Sequence, residues 1–259
     1  MKGISILMYH QVGDFPPMKA HRSTYCLRRR FAAQMALLSR LRCPVLPLDD
    51  ALDALAGGRP VPQRAVVITF DDGCENFYEH AFPVLKHHRF PAIVYLVSGL
   101  VGKRAEWFAA DGRPPPPLMD RERILGLVRE GITFGSHGMC HMRLSGLDRK
   151  TLHREIVQSK TDLESLLGIP IRHFCFPYGS HDEAAVAMAR KAGYASAVTC
   201  VRGAALSGED PFQLPRKAIS YGDSLAGFLW KLLFKDRRKT PPLQVPGKHV
   251  SGDPGQSKE

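Results

Sequence analysis

The chain has 259 residues, a net charge of +11 and an isoelectric point near 9.6, and its length is enough to bury one sizeable core. No apolar run is long enough to span a bilayer, and no nucleic-acid motif accompanies the basicity, so neither a membrane-spanning nor a nucleic-acid-binding role is predicted. The cysteines at 26, 43, 74, 140, 175 and 200 have neither metal-ligand spacing nor the density of a disulfide framework, which predicts reduced thiols.

Ile4-Ser5-Ile6-Leu7-Met8-Tyr9-His10 opens the chain as an apolar strand that delivers a histidine at its end. Met1-Lys2-Gly3 runs straight into it, which predicts a protein without a secretory signal, although a chain trimmed of its leader would read the same. A helix is predicted over 29–42, with Phe31, Met35 and Leu38 at helical spacing. Val66-Val67-Ile68-Thr69-Phe70-Asp71-Asp72-Gly73 then reads as a buried strand over 65–70 that stops on two carboxylates and a glycine. Neighbours on an extended backbone face opposite ways, but a turn at Gly73 lets Asp71 and Asp72 both line a cleft at the strand's carboxyl end, where α/β enzymes keep their chemistry. Taken alone, the segment is read more simply as a helix cap.

A helix over 75–89 and a strand over 92–97 follow. Residues 101–118 carry Trp107, Phe108 and a proline run at 114–117; a long loop is the simpler reading of this stiff excursion, a lid or sugar platform the other. After a helix over 120–130 comes Ile132-Thr133-Phe134-Gly135-Ser136-His137-Gly138-Met139-Cys140-His141, a strand near 132–136 and two histidines four positions apart. One helical turn, or a tight loop of similar rise, puts both imidazoles on one side. Taken alone, the spacing is read more simply as a pair of hydrogen-bonded loop histidines. Joined by one carboxylate, they would form a three-ligand site that leaves positions open for water and substrate, and its composition suits zinc or another late first-row dication. A Cys140 thiolate would close that site, so Cys140 is read as buried and neutral.

The helix predicted over 148–168 has Leu152, Ile156, Leu163, Leu166 and Leu167 as its core stripe. Arg172-His173-Phe174-Cys175-Phe176-Pro177-Tyr178-Gly179 runs from a strand over 173–176 into a turn whose N–H groups can receive a developing oxyanion. A helix over 182–192, strands over 195–199 and 217–220 and a helix over 223–235 complete an alternation that fits a single α/β barrel. In the last helix Ser224 caps Leu225, Phe228, Leu229, Trp230, Leu232, Leu233 and Phe234, with Lys235 and Arg237-Arg238-Lys239 behind. Such a helix can rest on anionic membrane through residues 224–239 or pack on the barrel, and the two readings weigh equally.

Together these segments resemble the polysaccharide deacetylase family, the NodB-homology domain of carbohydrate esterase family 4, over about residues 4–220. Thr69-Phe70-Asp71-Asp72-Gly73 matches its first motif, Ser136 with His137-Gly138-Met139-Cys140-His141 its second, and Phe174-Cys175-Phe176-Pro177-Tyr178-Gly179 the Pro-Tyr-Gly half of its third. The resemblance implies a distorted, incomplete (β/α) TIM-like barrel with its catalytic groups at the carboxyl-terminal rim. It implies that Asp72, His137 and His141 hold one divalent metal, Zn2+ ahead of Co2+ or Ni2+, that Asp71 is the general base, and that the Tyr178 backbone N–H helps hold the oxyanion.

Two departures from the family pattern stand out. Many members place an arginine where Cys175 stands, to orient the basic aspartate, so the tether must come from elsewhere, Arg172 or Arg216. The late Leu-x-x-His motif that supplies a general acid is also missing. Met8-Tyr9-His10-Gln11-Val12 instead resembles the poly-N-acetylglucosamine subgroup, in which a histidine after the first strand has that role, which implies His10 as the acid.

The predicted protein is a metal-dependent N-deacetylase of an N-acetylated amino sugar in a polysaccharide, oligosaccharide or glycoconjugate. Its predicted organisation is a catalytic domain over 1–222, an amphipathic basic helix over 223–239 and a disordered tail over 240–259. The expected location is cytoplasmic, with the terminal helix as a means of lying on the inner face of the membrane; such a location points to a nucleotide-sugar, a lipid-linked glycan or another small amide as substrate. Oligomeric state has no sequence signal. Alternatives are a non-catalytic glycan- or membrane-binding relative, a hydrolase of another small carbon-nitrogen amide, and a 2-His-1-carboxylate iron oxygenase, which strand-helix alternation disfavours.

Overall fold

In the computed structural model, which describes residues 3–239, short apolar runs buried on both faces form parallel strands, as expected for a sheet covered by helices. The elements in chain order are β1 (Ser5–Tyr9), β2 (Gln11–Gly13), β3 (Tyr25–Leu27), α1 (Arg28–Arg40), α2 (Leu48–Leu55), β4 (Val66–Phe70), α3 (Phe82–His88), β5 (Ile93–Leu96), α4 (Arg121–Arg129) and β6 (Thr133–Ser136). Then come α5 (Arg149–His153), α6 (Ser159–Leu167), β7 (His173–Cys175), α7 (Glu183–Lys191), β8 (Ser196–Arg202), β9 (Leu214–Ala218) and α8 (Leu225–Phe234). The order β1-β4-β5-β6-β7-β8-β9 forms a closed parallel barrel, with β2 and β3 paired beside it. Its seven strands are one short of the eight of a full (β/α) barrel, yet Leu7 against Lys217 and Met8 against Ala218 close the ring.

Side-chain alternation sorts each strand into two faces. Leu7, Tyr9, Ile68, Phe70, Val94, Phe134 and Phe174 pack outward against the stripes of the surrounding helices, among them Phe31, Met35 and Leu38 of α1 and Leu163 of α6. Ile6, Val67, Ile93, Tyr95, Cys175, Val198 and Leu214 fill the barrel, and Leu48, Ala51, Ala54 and Leu55 of α2 close its amino-terminal mouth against Ile4 and Ala65. Gly135 makes this interior possible: a Cβ there would lie 2.6 Å from the Tyr95 ring. The same inward phase, carried to the carboxyl ends, reaches His10, Asp71 and His137.

Several elements differ from expectation. The final barrel strand is Leu214–Ala218, not 217–220: Pro215 is accommodated because the pairing of β8 with β9 shifts register between Val198 and Arg202. The helices predicted over 75–89 and 148–168 each contain a wide turn, Phe77–Ala81 and Arg154–Gln158. Helix α2 and the β2–β3 pair were not anticipated. Cys140 is half-buried rather than buried, and its sulfur accepts from the Arg154 guanidinium at 3.2 Å. All six cysteines are free thiols, and no helix among the described residues is long and apolar enough to cross a membrane. The tail predicted over 240–259 lies outside the described residues.

Candidate active site

β4 ends on two acids that turn to different partners. Asp71 keeps the inward phase of the strand, whereas Asp72 takes a left-handed φ of 75°, followed by Gly73 at the same angle, and this turn brings its carboxylate round to the histidine loop. After β6, His137 and His141 lie on a tight loop rather than a helix, and His141 is itself left-handed, with φ 58°. The Asp72 Oδ1 atom is 3.6 Å from His137 Nε2 and 3.3 Å from His141 Nε2, and all three residues are buried.

This cluster fits a metal. Ligand atoms about 2.1 Å from a tetrahedral zinc stand about 3.4 Å from one another, close to these separations. His137 Nδ1 lies 2.8 Å from the Cys175 carbonyl oxygen and donates to it, which leaves the Nε2 lone pair facing Asp72. Burial holds the His137 imidazole down to about 4, so it is a neutral donor. Asp72 Oδ1 has no hydrogen-bond partner although it is buried. Burial alone would raise the Asp72 carboxyl, but the His141 contact prevails and lowers it. A second group, Asp71 with His137 and Cys175, lies equally close together, but a cation already occupies it: the Arg216 guanidinium.

Arg216 is the tether that the missing arginine at position 175 demands. It reaches from β9 across the barrel, and each of its donors is satisfied: Nε on the Thr199 carbonyl oxygen, Nη1 on Thr69 Oγ1 and Asp71 Oδ1, Nη2 on Asp71 Oδ2 and Cys175 Sγ. Both guanidinium-carboxylate contacts are 2.7 Å, a bidentate pair in a buried site. Burial pushes the Asp71 carboxyl up, the guanidinium overrides it, and the group is held well below the usual carboxylate range. Cys175, a neutral thiol whose own ionisation burial opposes, is small enough to leave room for that arm. Arg172, the other candidate, pairs instead with Asp49, which opens α2 at the far mouth of the barrel.

His10 stands over the same carboxylate, its Nε2 3.7 Å from Asp71 Oδ2 and its buried Nδ1 without a partner. Tyr178, in the Pro177–Gly179 turn, is left-handed at φ 58° and packs its ring 4.6 Å from that of His141. Asp71, Asp72, His10, His137, His141 and Tyr178 thus all line one cleft of about 750 Å³.

Two further contributors stand beside these residues, and of the two only Glu155 escaped the sequence reading. The stretch 101–118 is more than a long connection: bridges from Cys74 to Leu118 and from Arg104 to Pro117 fix it, and Trp107 stacks on the His141 ring at 4.0 Å. Glu155, fully buried, accepts from the N–H groups of Met139 and Cys140 at 3.0 Å each and so pins the loop that carries both histidines. Its signal was present, because position 155 falls on the apolar stripe of Leu152 and Ile156, where a carboxylate must have a partner.

A parallel barrel with acids and imidazoles gathered at the carboxyl-terminal rim is the arrangement of a (β/α)-barrel enzyme. The family described as polysaccharide deacetylase matches residues 58–197, more than half the sequence. The chain belongs to that family. YxkH of Bacillus subtilis (strain 168) is 25% identical over 225 residues, covering 87% of this chain and 74% of that protein. The poly-beta-1,6-N-acetyl-D-glucosamine N-deacetylase of Escherichia coli (strain K12) is 25% identical over 267 residues, covering 89% of this chain but only 38% of that longer protein. The solved structure of IcaB from Ammonifex degensii superimposes with a TM-score of 0.75 at 26% identity, over 90% of this chain and 98% of that one.

Proposed function

We propose that this protein is a metal-dependent N-deacetylase that hydrolyses the acetamido group of an N-acetylated amino sugar in a polysaccharide, oligosaccharide or glycoconjugate. One observation carries the reading: the Asp72, His137 and His141 ligand atoms converge beside a second carboxylate locked by Arg216 and faced by His10. The activity printed for the Escherichia coli relative, on poly-beta-1,6-N-acetyl-D-glucosamine, supports the substrate class.

Asp72, His137 and His141 would hold a divalent cation, Zn2+ before Co2+ or Ni2+, and when bound it would supply Lewis acidity to the amide carbonyl and to water. Asp71 accepts the proton of the attacking water. Its bidentate arginine keeps the carboxylate ionised and fixes its direction, so the proton is received in one geometry and passed on rather than retained. The Tyr178 backbone N–H stabilises the oxyanion, a contribution worth about 3–4 kcal/mol per donor. His10 protonates the leaving nitrogen, and acetate and a free amino sugar result. A binding-only relative would need neither the locked carboxylate nor the imidazole above it.

Acetate release by metal-loaded protein from β-1,6-linked N-acetylglucosamine oligomers, nucleotide-sugars and lipid-linked sugars tests the reading, and no acetate from any of them refutes it. The role of His10 has a separate test: His10→Ala is expected to slow amide cleavage by about 10²-fold or more. It should slow cleavage of an activated acetate ester far less, since that leaving group needs no proton. Equal losses would remove His10 from the role.

A cytoplasmic protein that touches the membrane is the accompanying proposal. Phe228 and Leu232 of α8 pack into the core, while Leu225, Trp230, Leu233 and Phe234 stay exposed, Phe234 at 68%. Lys235 lies 4.2 Å from the centre of the Trp230 ring, the pairing of aromatic and cation suited to an anionic interface. Trp230→Ser/Phe234→Ser should float with anionic vesicles several-fold less than the parent protein, and equal flotation would discard the idea.

A further inference from the structure

Resting on the deacetylase reading, we infer that the cleft holds a subsite for a phosphate or diphosphate carried by the N-acetylated sugar itself. Beyond α8 the chain is strapped to the end of β8: the Ala204 N–H donates to the Asp236 carbonyl oxygen at 3.1 Å and the Lys239 N–H to that of Arg202 at 2.8 Å. Gly203 permits this approach, since a Cβ there would sit 2.9 Å from Arg238 Cα. The side chains of the strap, which bends at Arg237, divide between two sides. Asp236 binds Lys217 at 2.6 Å and Arg238 turns to the Gln213 carbonyl oxygen and Glu209, while Arg237 and Lys239 line the cleft.

The charge there is unbalanced. Lys217 and Lys231 also line the cleft but are matched by Asp236 and Asp223. Among the described residues no carboxylate lies within ion-pair distance of Arg143, Arg202, Lys235, Arg237 or Lys239. Asp71 and Asp72 are the only acids in the lining among the described residues, and both are engaged, one by Arg216 and the other by the histidines. Such a cleft is poorly suited to a neutral glycan whose deacetylation exposes an ammonium, because product and wall would repel. A phosphorylated sugar brings the counter-charge, is steered in by the field, and leaves as a zwitterion. Lys231 of α8 and Lys235 at its end share the cleft lining with Arg237 and Lys239 of the strap, and this basic wall accommodates a diphosphate on either a nucleoside or a polyprenyl chain.

The test compares kcat/KM for metal-loaded protein on a neutral β-1,6-linked N-acetylglucosamine oligomer, N-acetylglucosamine 1-phosphate, a uridine diphosphate N-acetylamino sugar and polyprenyl-diphosphate-linked N-acetylglucosamine in vesicles. At low salt at least one phosphorylated substrate should exceed the neutral one by about tenfold or more. That ratio should collapse in 0.5 M salt and in Arg237→Ala/Lys239→Ala, while Arg129→Ala on α4, remote from the cleft, leaves it in place. The soluble and vesicle arms assign the carrier. A neutral oligomer used as well as every phosphorylated sugar, or a preference indifferent to the double substitution and to salt, overturns the subsite and leaves the deacetylase standing. Acetate from none of the four ends both.

Discussion

Asp72→Ala is expected to abolish divalent metal binding and lower turnover by about 10³-fold or more, whereas Asp71→Asn should retain the metal and still lose about 10²–10⁴-fold. The two acids are sequence neighbours and both buried, so burial cannot separate them; their partners do. Asp72 faces two imidazole nitrogens at 3.3 and 3.6 Å, and Asp71 faces a guanidinium. Metal content by mass spectrometry and acetate release, measured on the same folded preparations, decide the matter. Metal retained by Asp72→Ala, or lost from Asp71→Asn, would reverse the assignment. Asp71→Asn also offers Arg216 one acceptor where it had two, so some loss of melting temperature is expected without bearing on the result.

The second large effect concerns Arg216→Met. Breaking a buried ion pair from one side strands the other charge and costs about 3–5 kcal/mol, which for a chain of this size is on the order of 10 °C in melting temperature. Asp71→Asn/Arg216→Met should recover much of that loss but none of the activity. The pH dependence carries the sign. In the parent the Asp71 carboxyl is held below its unfolded value, so the pair's stabilisation is fully present above about pH 4 and is lost as acid titrates the carboxylate. Without the guanidinium, burial is opposed only by the weaker pull of His10 and His137, which fades as those imidazoles lose their charge. The carboxyl then rises above its unfolded value, and stability declines as pH climbs from about 4 towards neutrality. The melting-temperature gap between the two metal-stripped proteins should therefore be widest near pH 7 and shrink on acidification. A constant gap would mean that Arg216 acts through packing alone.

The barrel was readable because parallel strands buried on both faces are continuous apolar runs, and each of the first three segments carrying the motifs ends on a polar residue at the strand's carboxyl end. Less was readable where tertiary structure overrides local pattern. Pro215 reads as a strand breaker, yet the irregular pairing of β8 with β9 absorbs it, which moved the last strand forward and placed Arg216 inside the barrel. Helix α2 did carry apolar residues at 48, 51, 52 and 55, a helical spacing that its short length concealed. The division of labour between Asp71 and Asp72 depends on a left-handed turn that no periodicity reports. The alternation of Arg237 and Lys239 against Arg238 is visible only once the strap lies on Gly203, since three consecutive basic residues look alike in a string of letters.

Arg216 and Cys175 belong to different strands but to one cross-section of the barrel, and this has a consequence for how such proteins are catalogued. What Asp71 requires is a guanidinium at its own height in the ring; any inward-facing position on that level can furnish it. A pattern that insists on arginine between the two phenylalanines would discard this chain as defective. A census by level within the barrel, rather than by place along the polypeptide, would count it as intact.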